Sequence, residues 1–164
     1  SARVKGIEAE ATLIPTEGLT LRGVLGYQDA KYRQYLTPIP AGYDLSTAPL
    51  DRAPKWQWSV DSTYSTPVSD KLKLAVNANL SYVGRNLFTQ SIADPRDNTF
   101  LRARTLLNAA ITLSDLDDRY TLRLVGKNLT DKRYETASQV VGGLWTFTLY
   151  GPPRYYGVEL DTKF

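Results

Sequence analysis

The 164-residue sequence contains no cysteine, no histidine and no methionine. Without cysteine the chain has no disulfide, no thiolate nucleophile and no zinc–cysteine site. Without histidine it has neither a Ser–His–Asp triad nor an imidazole metal ligand. No other acid–base constellation stands out, so we expect no enzyme, no catalytic residue, no metal site and no cofactor. The lack of methionine leads us to expect that Ser1 is not a natural start.

Long apolar runs and a strong excess of one charge are also missing. The mean hydropathy is -0.33. No run approaches the roughly 18 apolar residues of a membrane-spanning helix. Lys and Arg number 20 against 17 Asp and Glu, a net charge of +3. That imbalance is too small for a nucleic-acid footprint, so we expect no nucleic-acid partner.

The sequence does show a strict alternation of apolar and polar residues, and this alternation recurs. In the first run Ile7, Ala9 and Leu13 share one face, while Glu8 and Glu10 lie on the other. The pattern predicts seven strands, at about 4–15, 19–31, 55–66, 70–84, 100–113, 119–128 and 154–164. Short turns at about 15–18, 67–70 and 114–118 alternate with longer loops at about 31–54, 84–99 and 129–153. Short and long connections therefore fall on opposite edges of the sheet.

These strands have the length and the aromatic residues of a membrane barrel. A strand of about 9–11 residues tilted near 45° crosses a bilayer, and outer-membrane barrels have short periplasmic turns and long extracellular loops. The outward aromatic residues collect at two levels, which is the girdle pattern of a lipid interface; they are Tyr27, Trp56, Trp58 and Tyr82 at the outer level, and Tyr64, Tyr120 and Phe164 at the inner level. A soluble sandwich also alternates, but girdles and edge-sorted loops would be coincidental there.

The expected fold is thus an all-β antiparallel transmembrane β-barrel. Its inner face carries many charged and amide side chains, which implies a wet or plugged lumen because unpaired buried charge is costly. Seven strands are an odd number and leave two open edges, which hydrocarbon does not tolerate. We therefore expect the chain to supply about the last seven strands of a larger barrel, with the earlier strands absent.

Four segments resemble the C-terminal part of the TonB-dependent outer-membrane receptors. Residues 4–10 (VKGIEAE) and 50–56 (LDRAPKW) are similar to strand openings of that family, and each is weak alone. Residues 127–134 (KNLTDKRY) closely resemble its signature before the last loop, with Asn128, Asp131 and Tyr134 at the motif positions. Residues 151–160 (GPPRYYGVEL) resemble its last strand, although Thr162 stands where an apolar residue is usual.

The resemblance implies a 22-stranded barrel, an N-terminal plug domain, a TonB box and energised import at the bacterial outer membrane. Its implied partners are outer-membrane lipid, TonB through the missing N-terminal part, a small-molecule ligand such as a ferric siderophore, and the barrel-insertion machinery. It also implies an insertion signal in the last strand, formed by Tyr156, Val158, Leu160 and Phe164. These same residues are lipid-facing surface on the plain interpretation, and the two roles are compatible.

Ligand contact, where it occurs, belongs to the long loops. Aromatic and Arg side chains favour flat or anionic ligands, although ordinary loop packing is the alternative for each residue. The candidates are Tyr32, Arg33, Tyr35, Tyr43, Phe88, Gln90, Arg96, Trp145, Phe147 and Tyr150. For Asn128 to Tyr134 we favour a strand-capping role over ligand contact. For Asp115, Asp117 and Asp118 we favour a solvated turn over a Ca²⁺ site, because the spacing matches no full calcium loop.

The first functional hypothesis is TonB-dependent import of a scarce bulky nutrient, most readily a ferric siderophore. The alternative is a passive porin, or a structural barrel whose long loops serve adhesion. A soluble β-barrel binding module ranks third. Composition does not name the ligand, since fold alone does not decide the substrate.

Overall fold

The computed structural model describes residues 1–36, 44–91, 98–141 and 144–163, and every structural statement below concerns these ranges. It contains the following strands: β1 (Ala2–Thr16), β2 (Leu19–Tyr32), β3 (Trp56–Pro67), β4 (Leu72–Val83), β5 (Asn86–Thr89), β6 (Thr99–Leu101), β7 (Arg104–Asp115), β8 (Tyr120–Lys127), β9 (Glu135–Val141), β10 (Trp145–Tyr150) and β11 (Tyr155–Thr162). No helix in the described ranges is long and apolar enough to cross a membrane.

The seven long strands form one sheet in the order β1-β2-β3-β4-β7-β8-β11. Every neighbouring pair is antiparallel. The all-β antiparallel prediction is therefore confirmed. Short turns join the strands at one edge, which we name the short-turn edge, and the longer connections leave from the opposite, long-loop edge.

The fifth long strand begins later than expected, at Arg104 rather than near residue 100. Residues Thr99–Leu101 form the separate strand β6, which pairs with β5 in a hairpin of its own. The chain therefore leaves the ladder of β4 at Arg104, because the residues before it are hydrogen-bonded elsewhere.

Two connections that we expected to be loops contain hairpins. Strands β5 and β6 pair within the stretch expected as a loop at 84–99, and β9 pairs with β10 within 129–153. In β10 the residues Trp145, Phe147 and Leu149 alternate with threonines, so this run has the period of a strand. It was missed because it is only 6 residues long and lies inside a long connection.

The apolar alternation forms one continuous face across all seven strands. Residues that are directly opposite each other in the ladder lie on the same face. One such row comprises Leu19, Tyr64, Val76, Ile111, Leu124 and Val158. Ile111 is 48% exposed and Val158 is 68% exposed. We name this face the outward face; among the described residues no element covers it, and the few buried apolar side chains lie elsewhere.

Aromatic residues mark both margins of the outward face. Near the long-loop edge Tyr27 packs on Trp56 with ring centroids 4.6 Å apart, and Trp58 stacks on Tyr82 at 5.6 Å. At the short-turn edge Tyr64 and Tyr120 are exposed. Phe164, the third residue expected at that level, lies outside the described residues. The expected two-level arrangement is thus present for the residues described.

The acidic turn after β7 is held by its own hydrogen bonds. The Asp115 carboxylate accepts bonds from the backbone N–H groups of Arg119 and Tyr120, at 2.6 and 2.9 Å. Lys73 Nζ donates to Asp118 at 2.9 Å, and this bond holds the pKa of Asp118 below its usual value. Each of these two carboxylates therefore has a structural partner, which favours a turn over a calcium loop.

Candidate functional site

The face opposite the outward face is a polar wall, which we name the inward face. Asn79 Nδ2 donates to Asp61 Oδ1 at 3.0 Å, and Asn108 Nδ2 donates to Asn79 Oδ1 at 3.4 Å. Ion pairs join strands on the same face, with Arg123 3.4 Å from Glu159. These polar groups therefore satisfy one another, and the wall is hydrophilic enough to border water or a second polar domain.

Asn128 fastens the chain where β8 ends. Its side chain is almost fully buried, with 4% of the residue exposed, and its φ of 49° lies in the left-handed region that Asn tolerates. The amide donates to the carbonyls of Lys132 and Pro152 at 3.0 and 3.1 Å, and its oxygen accepts from the Lys132 N–H at 2.9 Å. The backbone N–H of Asn128 donates to Asn108 on the inward face.

The other two motif residues complete this fastening. Asp131 accepts a bond from the backbone N–H of Arg154 at 3.1 Å, just before β11. The ring of Tyr134 lies against Gly151 so closely that a Cβ added there would overlap the ring. The motif thus connects the end of β8 to the start of β11 through the hydrogen bonds of Asn128 and Asp131. These contacts favour the capping role over ligand contact.

Three long connections meet at the long-loop edge, and we name them loop A (33–55), loop B (84–103) and loop C (128–154). The backbone N–H of Arg52 in loop A donates to Leu87 in loop B at 2.6 Å. Thr99 Oγ1 of loop B donates to the Ser138 carbonyl of loop C at 2.5 Å. Arg102 pairs with Glu135 at 2.7 Å, also between loops B and C. The loops therefore form one connected layer.

The candidate residues of the first loop lie at its start. Tyr32, at the end of β2, packs on Tyr35 with ring centroids 4.7 Å apart. Arg33 is exposed, and its backbone N–H donates to the Ser1 carbonyl at 2.9 Å. Tyr43 lies outside the described residues. The structure therefore brings two of the four candidates into contact.

The candidate residues of loop B lie in and beside β5. The Arg52 guanidinium stands 4.5 Å from the ring centroid of Phe88, which links loop A to loop B. Gln90 Nε2 donates to Asn98 Oδ1 at 3.1 Å, whereas the buried Gln90 Oε1 has no hydrogen-bond partner among the residues described. Arg96 lies outside the described residues.

The candidate residues of loop C lie on the β9–β10 hairpin. Trp145 and Phe147 share a face of β10, with ring centroids 6.0 Å apart. Tyr150 ends that strand beneath the Arg133 guanidinium, which stands 4.2 Å from the ring centroid. Gly142 and Gly143 lie outside the described residues. The Trp145–Phe147 pair lies on the β9–β10 hairpin, whereas the Tyr32–Tyr35 pair lies where β2 enters loop A.

A cavity of about 250 Å³ opens between loops B and C, and we name it the loop cavity. Its charged lining comprises Arg102, Lys132, Arg133 and Glu135, and Tyr150 supplies an aromatic wall. The hydrogen bond from Arg102 lowers the pKa of Glu135, so that carboxylate is ionised at neutral pH. Three cations against one carboxylate leave the cavity positive, which suits an anionic ligand with an aromatic portion.

Tyr150 was expected at a ligand site because of its residue type, whereas the cationic side of the loop cavity was not expected. Arg102 and Glu135 are 33 residues apart, and their pairing depends on how two hairpins meet. The available signal was the recurrence of Arg in each loop that also carries aromatic residues. The pairs Arg52–Phe88, Arg85–Phe100 and Arg133–Tyr150 all follow it.

The residues of the expected insertion signal lie on the outward face of β11. Tyr156, Val158 and Leu160 are all largely exposed. They are opposite Gly126, Leu124 and Leu122 in the ladder with β8. Phe164 lies outside the described residues. In the described ranges no group of three or more Asp and Glu side chains could hold a metal ion.

Comparison with known proteins gives one family and one group of solved structures. Residues 1–129 match the family described as TonB dependent receptor-like, beta-barrel. FpvA of P. aeruginosa bound to a heterologous pyoverdine matches at 20% identity and a TM-score of 0.67. The FpvAI–pyocin S2 complex and the ferripyoverdine receptor of the Pseudomonas aeruginosa outer membrane bound to ferripyoverdine both match at 21% identity, with TM-scores of 0.62 and 0.60.

Each structural match covers 94% of this chain but only 19% of the other chain. At these identities the likeness establishes the fold alone. The sheet described above therefore corresponds to part of a larger barrel.

Proposed function

The chain belongs to the TonB-dependent receptor β-barrel family, and from this premise we propose that it is part of an energised importer of a ferric siderophore. The family is non-enzymatic and its members are bacterial outer-membrane proteins, so the chain lies in that membrane and the long-loop edge is extracellular. Members of the family import siderophores. The substrate, the plug, the TonB box and the contact with TonB are parts of the proposal, as is a 22-stranded barrel.

The loop cavity is the observation that carries this proposal. Ferric siderophores of the anionic class present negative oxygens and flat aromatic groups. The lining supplies the matching chemistry, with Arg133 over the Tyr150 ring and Lys132 beside it. The solved relatives support the direction, since two of them hold a pyoverdine with iron or ferripyoverdine. The connected loop layer would hold such a ligand above the lumen.

In the proposed importer the loops, the outward face and the inward face have separate roles. Loops A to C capture the ligand, and the outward face anchors the wall in lipid. The inward face borders the passage with polar groups, of which Asp61, Asn79 and Asn108 are hydrogen-bonded to one another. Opening of the passage is then the task of the plug, driven through TonB. No bond of the ligand is made or broken.

The test uses the intact receptor that contains this chain and radiolabelled ferric pyoverdine as the probe. We expect uptake in cells with TonB and its loss when TonB is deleted. Arg133→Gln should weaken binding by about tenfold, because a charged contact of about 1.4 kcal/mol is lost. Lys71→Gln, which removes a cation at the short-turn edge, is the matched control and should bind normally.

The competing function is that of a passive porin, or of a structural barrel whose long loops serve adhesion. Uptake that continues unchanged after deletion of TonB would establish it and overturn import by energised transport. If ferric pyoverdine is not taken up but another nutrient is taken up only in the presence of TonB, the chain is part of an importer and ferric pyoverdine is not its substrate.

We also propose that Tyr156, Val158, Leu160 and Phe164 form the signal that the barrel-insertion machinery reads. The support is the exposed apolar strip along the described part of β11. Val158→Ser should lower the amount of folded receptor in the membrane, measured by the gel mobility of unheated samples. Glu159→Gln, on the inward face of the same strand, should leave that amount unchanged. Equal amounts for both variants would reject the signal.

A further inference from the structure

The outward face has an uncharged band of membrane thickness. Between the level of Tyr27 and the level of Leu113, the outward-facing residues of the seven long strands carry no charge. From Trp56 to Thr66 in β3 the band spans ten residue steps, or about 24 Å along the membrane normal for a strand tilted near 45°. Hydrocarbon therefore ends close to Tyr27 and Trp56.

Charged residues appear on the same face directly beyond that level. The ladder of β1 and β2 continues from Ile7↔Tyr27 to Lys5↔Asp29 and Arg3↔Lys31 without a register shift. Because alternate residues share a face, these four charged side chains point outward with Tyr27. Asp29 and Lys31 lie about 5 Å and 10 Å above Tyr27 along the membrane normal. We name this group the rim cluster.

The rim cluster has an excess of positive charge. Asp29 lies 3.1 Å from Lys31 Nζ and 4.0 Å from Arg3, so one carboxylate serves two cations. Lys5 makes no ion pair within the described part of the chain. Three cations against one anion leave a net charge of +2, and the Arg3 and Lys31 side chains are each 41% exposed. The cluster can therefore accept a further anionic group.

The orientation of the cluster determines which anion can reach it. The acidic residues Glu8 and Glu10 lie on the inward face, so the cluster points away from the lumen. It stands over the Tyr27–Trp56 ring pair, which occupies the boundary where hydrocarbon meets headgroups. An anion at this height and on this side of the sheet belongs to a lipid. Cationic side chains next to a membrane attract anionic headgroups.

We propose that the rim cluster binds the phosphate of an anionic glycolipid in the outer leaflet, with the Tyr27–Trp56 pair contacting its acyl chains. Lys5 and Lys31 receive the phosphate oxygens, and Arg3 completes the site beside Asp29. This binding is independent of the import reaction and of the ligand that the loops hold. It fixes the height of β1 and β2 in the membrane.

The test titrates diphosphoryl lipid A onto the intact receptor in neutral detergent and counts bound lipid by native mass spectrometry. Each interfacial cation contributes about fivefold in affinity, so the triple variant Arg3→Gln, Lys5→Gln, Lys31→Gln should lose on the order of a hundredfold. Asp29→Asn removes the competing carboxylate and should tighten binding about fivefold. The matched control is the triple variant of Lys71, Lys127 and Lys163 to Gln, which removes the same charge elsewhere.

Three outcomes would overturn the proposal. The first is equal lipid affinity in the rim variant and the control. The second is weaker binding after Asp29→Asn in a receptor whose gel mobility shows a folded barrel. The third is full competition by inorganic phosphate, which would make the cluster a site for soluble anions. Lower affinity in the rim variant alone, with the barrel folded, supports the lipid site.

Discussion

Replacing Asn128 with Ala should loosen the junction between β8 and β11. The Asn128 side chain makes three hydrogen bonds, to the Lys132 and Pro152 carbonyls and from the Lys132 N–H. Each bond lost at a buried site costs about 1 kcal/mol. Ala also tolerates the φ of 49° less well than Asn, which adds about 1 kcal/mol. The expected loss is therefore about 4 kcal/mol of local stability.

Two further variants separate these causes. Asn128→Gly accepts the left-handed backbone and loses only the bonds, so it should cost about 3 kcal/mol. Asn128→Asp keeps the bond from Lys132 but replaces both donors with acceptors, so it too should loosen the junction. The assay is hydrogen exchange of residues 128–134 in the intact receptor, with residues 74–82 of β4 as an internal reference. Exchange of the junction in Asn128→Ala at the rate of the unchanged protein would refute the capping role.

Further predictions concern a glycine, an ion pair and the two faces of the sheet. Gly151→Ala should increase protease cleavage within loop C, because the added Cβ would overlap an aromatic ring, and unchanged cleavage would count against that contact. The pKa of Glu135 is lowered from its ordinary 4.5 by Arg102, so this carboxylate stabilises the contact of loops B and C above about pH 4.5 and loses that effect as the pH falls through its lower folded pKa. The protection of β9 amides, taken as the ratio of the intrinsic to the observed exchange rate at each pH, should therefore fall on acidification, and Glu135→Gln should abolish the fall; persistence of the fall would assign it elsewhere. Val60→Lys, near the middle of the outward face, should cost about 2–4 kcal/mol in urea unfolding from liposomes, whereas Ser59→Lys on the inward face should cost less than about 1 kcal/mol, and equal costs would contradict the assignment of faces.

The faces of the sheet could be predicted because they depend on a period of two residues. Val76 and Asn77 are neighbours in sequence, yet Val76 is opposite Tyr64 and Ile111 on the outward face, whereas Asn77 is opposite Thr63 and Ala110 on the inward face. Antiparallel pairing preserves this pattern from strand to strand, so alternation within one strand fixes the face of the next. The short-turn edge and the long-loop edge could also be predicted, because short and long connections alternate along the chain.

The loop layer could not be predicted by the same reasoning. Arg102 meets Glu135 only because β6 packs beside β9, and no period within either segment encodes that approach. The Asn128 amide likewise bonds to Pro152, 24 residues further along the chain. The motif indicated a cap, but the carbonyl that it would hold depended on the return of the chain to β11. Contacts between irregular segments are set by their mutual packing rather than by local pattern.

The central claim is that the apolar face of this sheet meets lipid and the polar face meets water. Since the chain has no cysteine, a single nitroxide label can be attached after Val76→Cys or Asn77→Cys in the intact receptor, with any cysteine outside this chain replaced. Electron spin resonance in liposomes then measures collisions of each label with oxygen and with a water-soluble nickel chelate. We predict that the label at 76 collides mainly with oxygen and that the label at 77 is the more accessible to nickel. Equal nickel access at both positions, or the reverse order, would contradict the account.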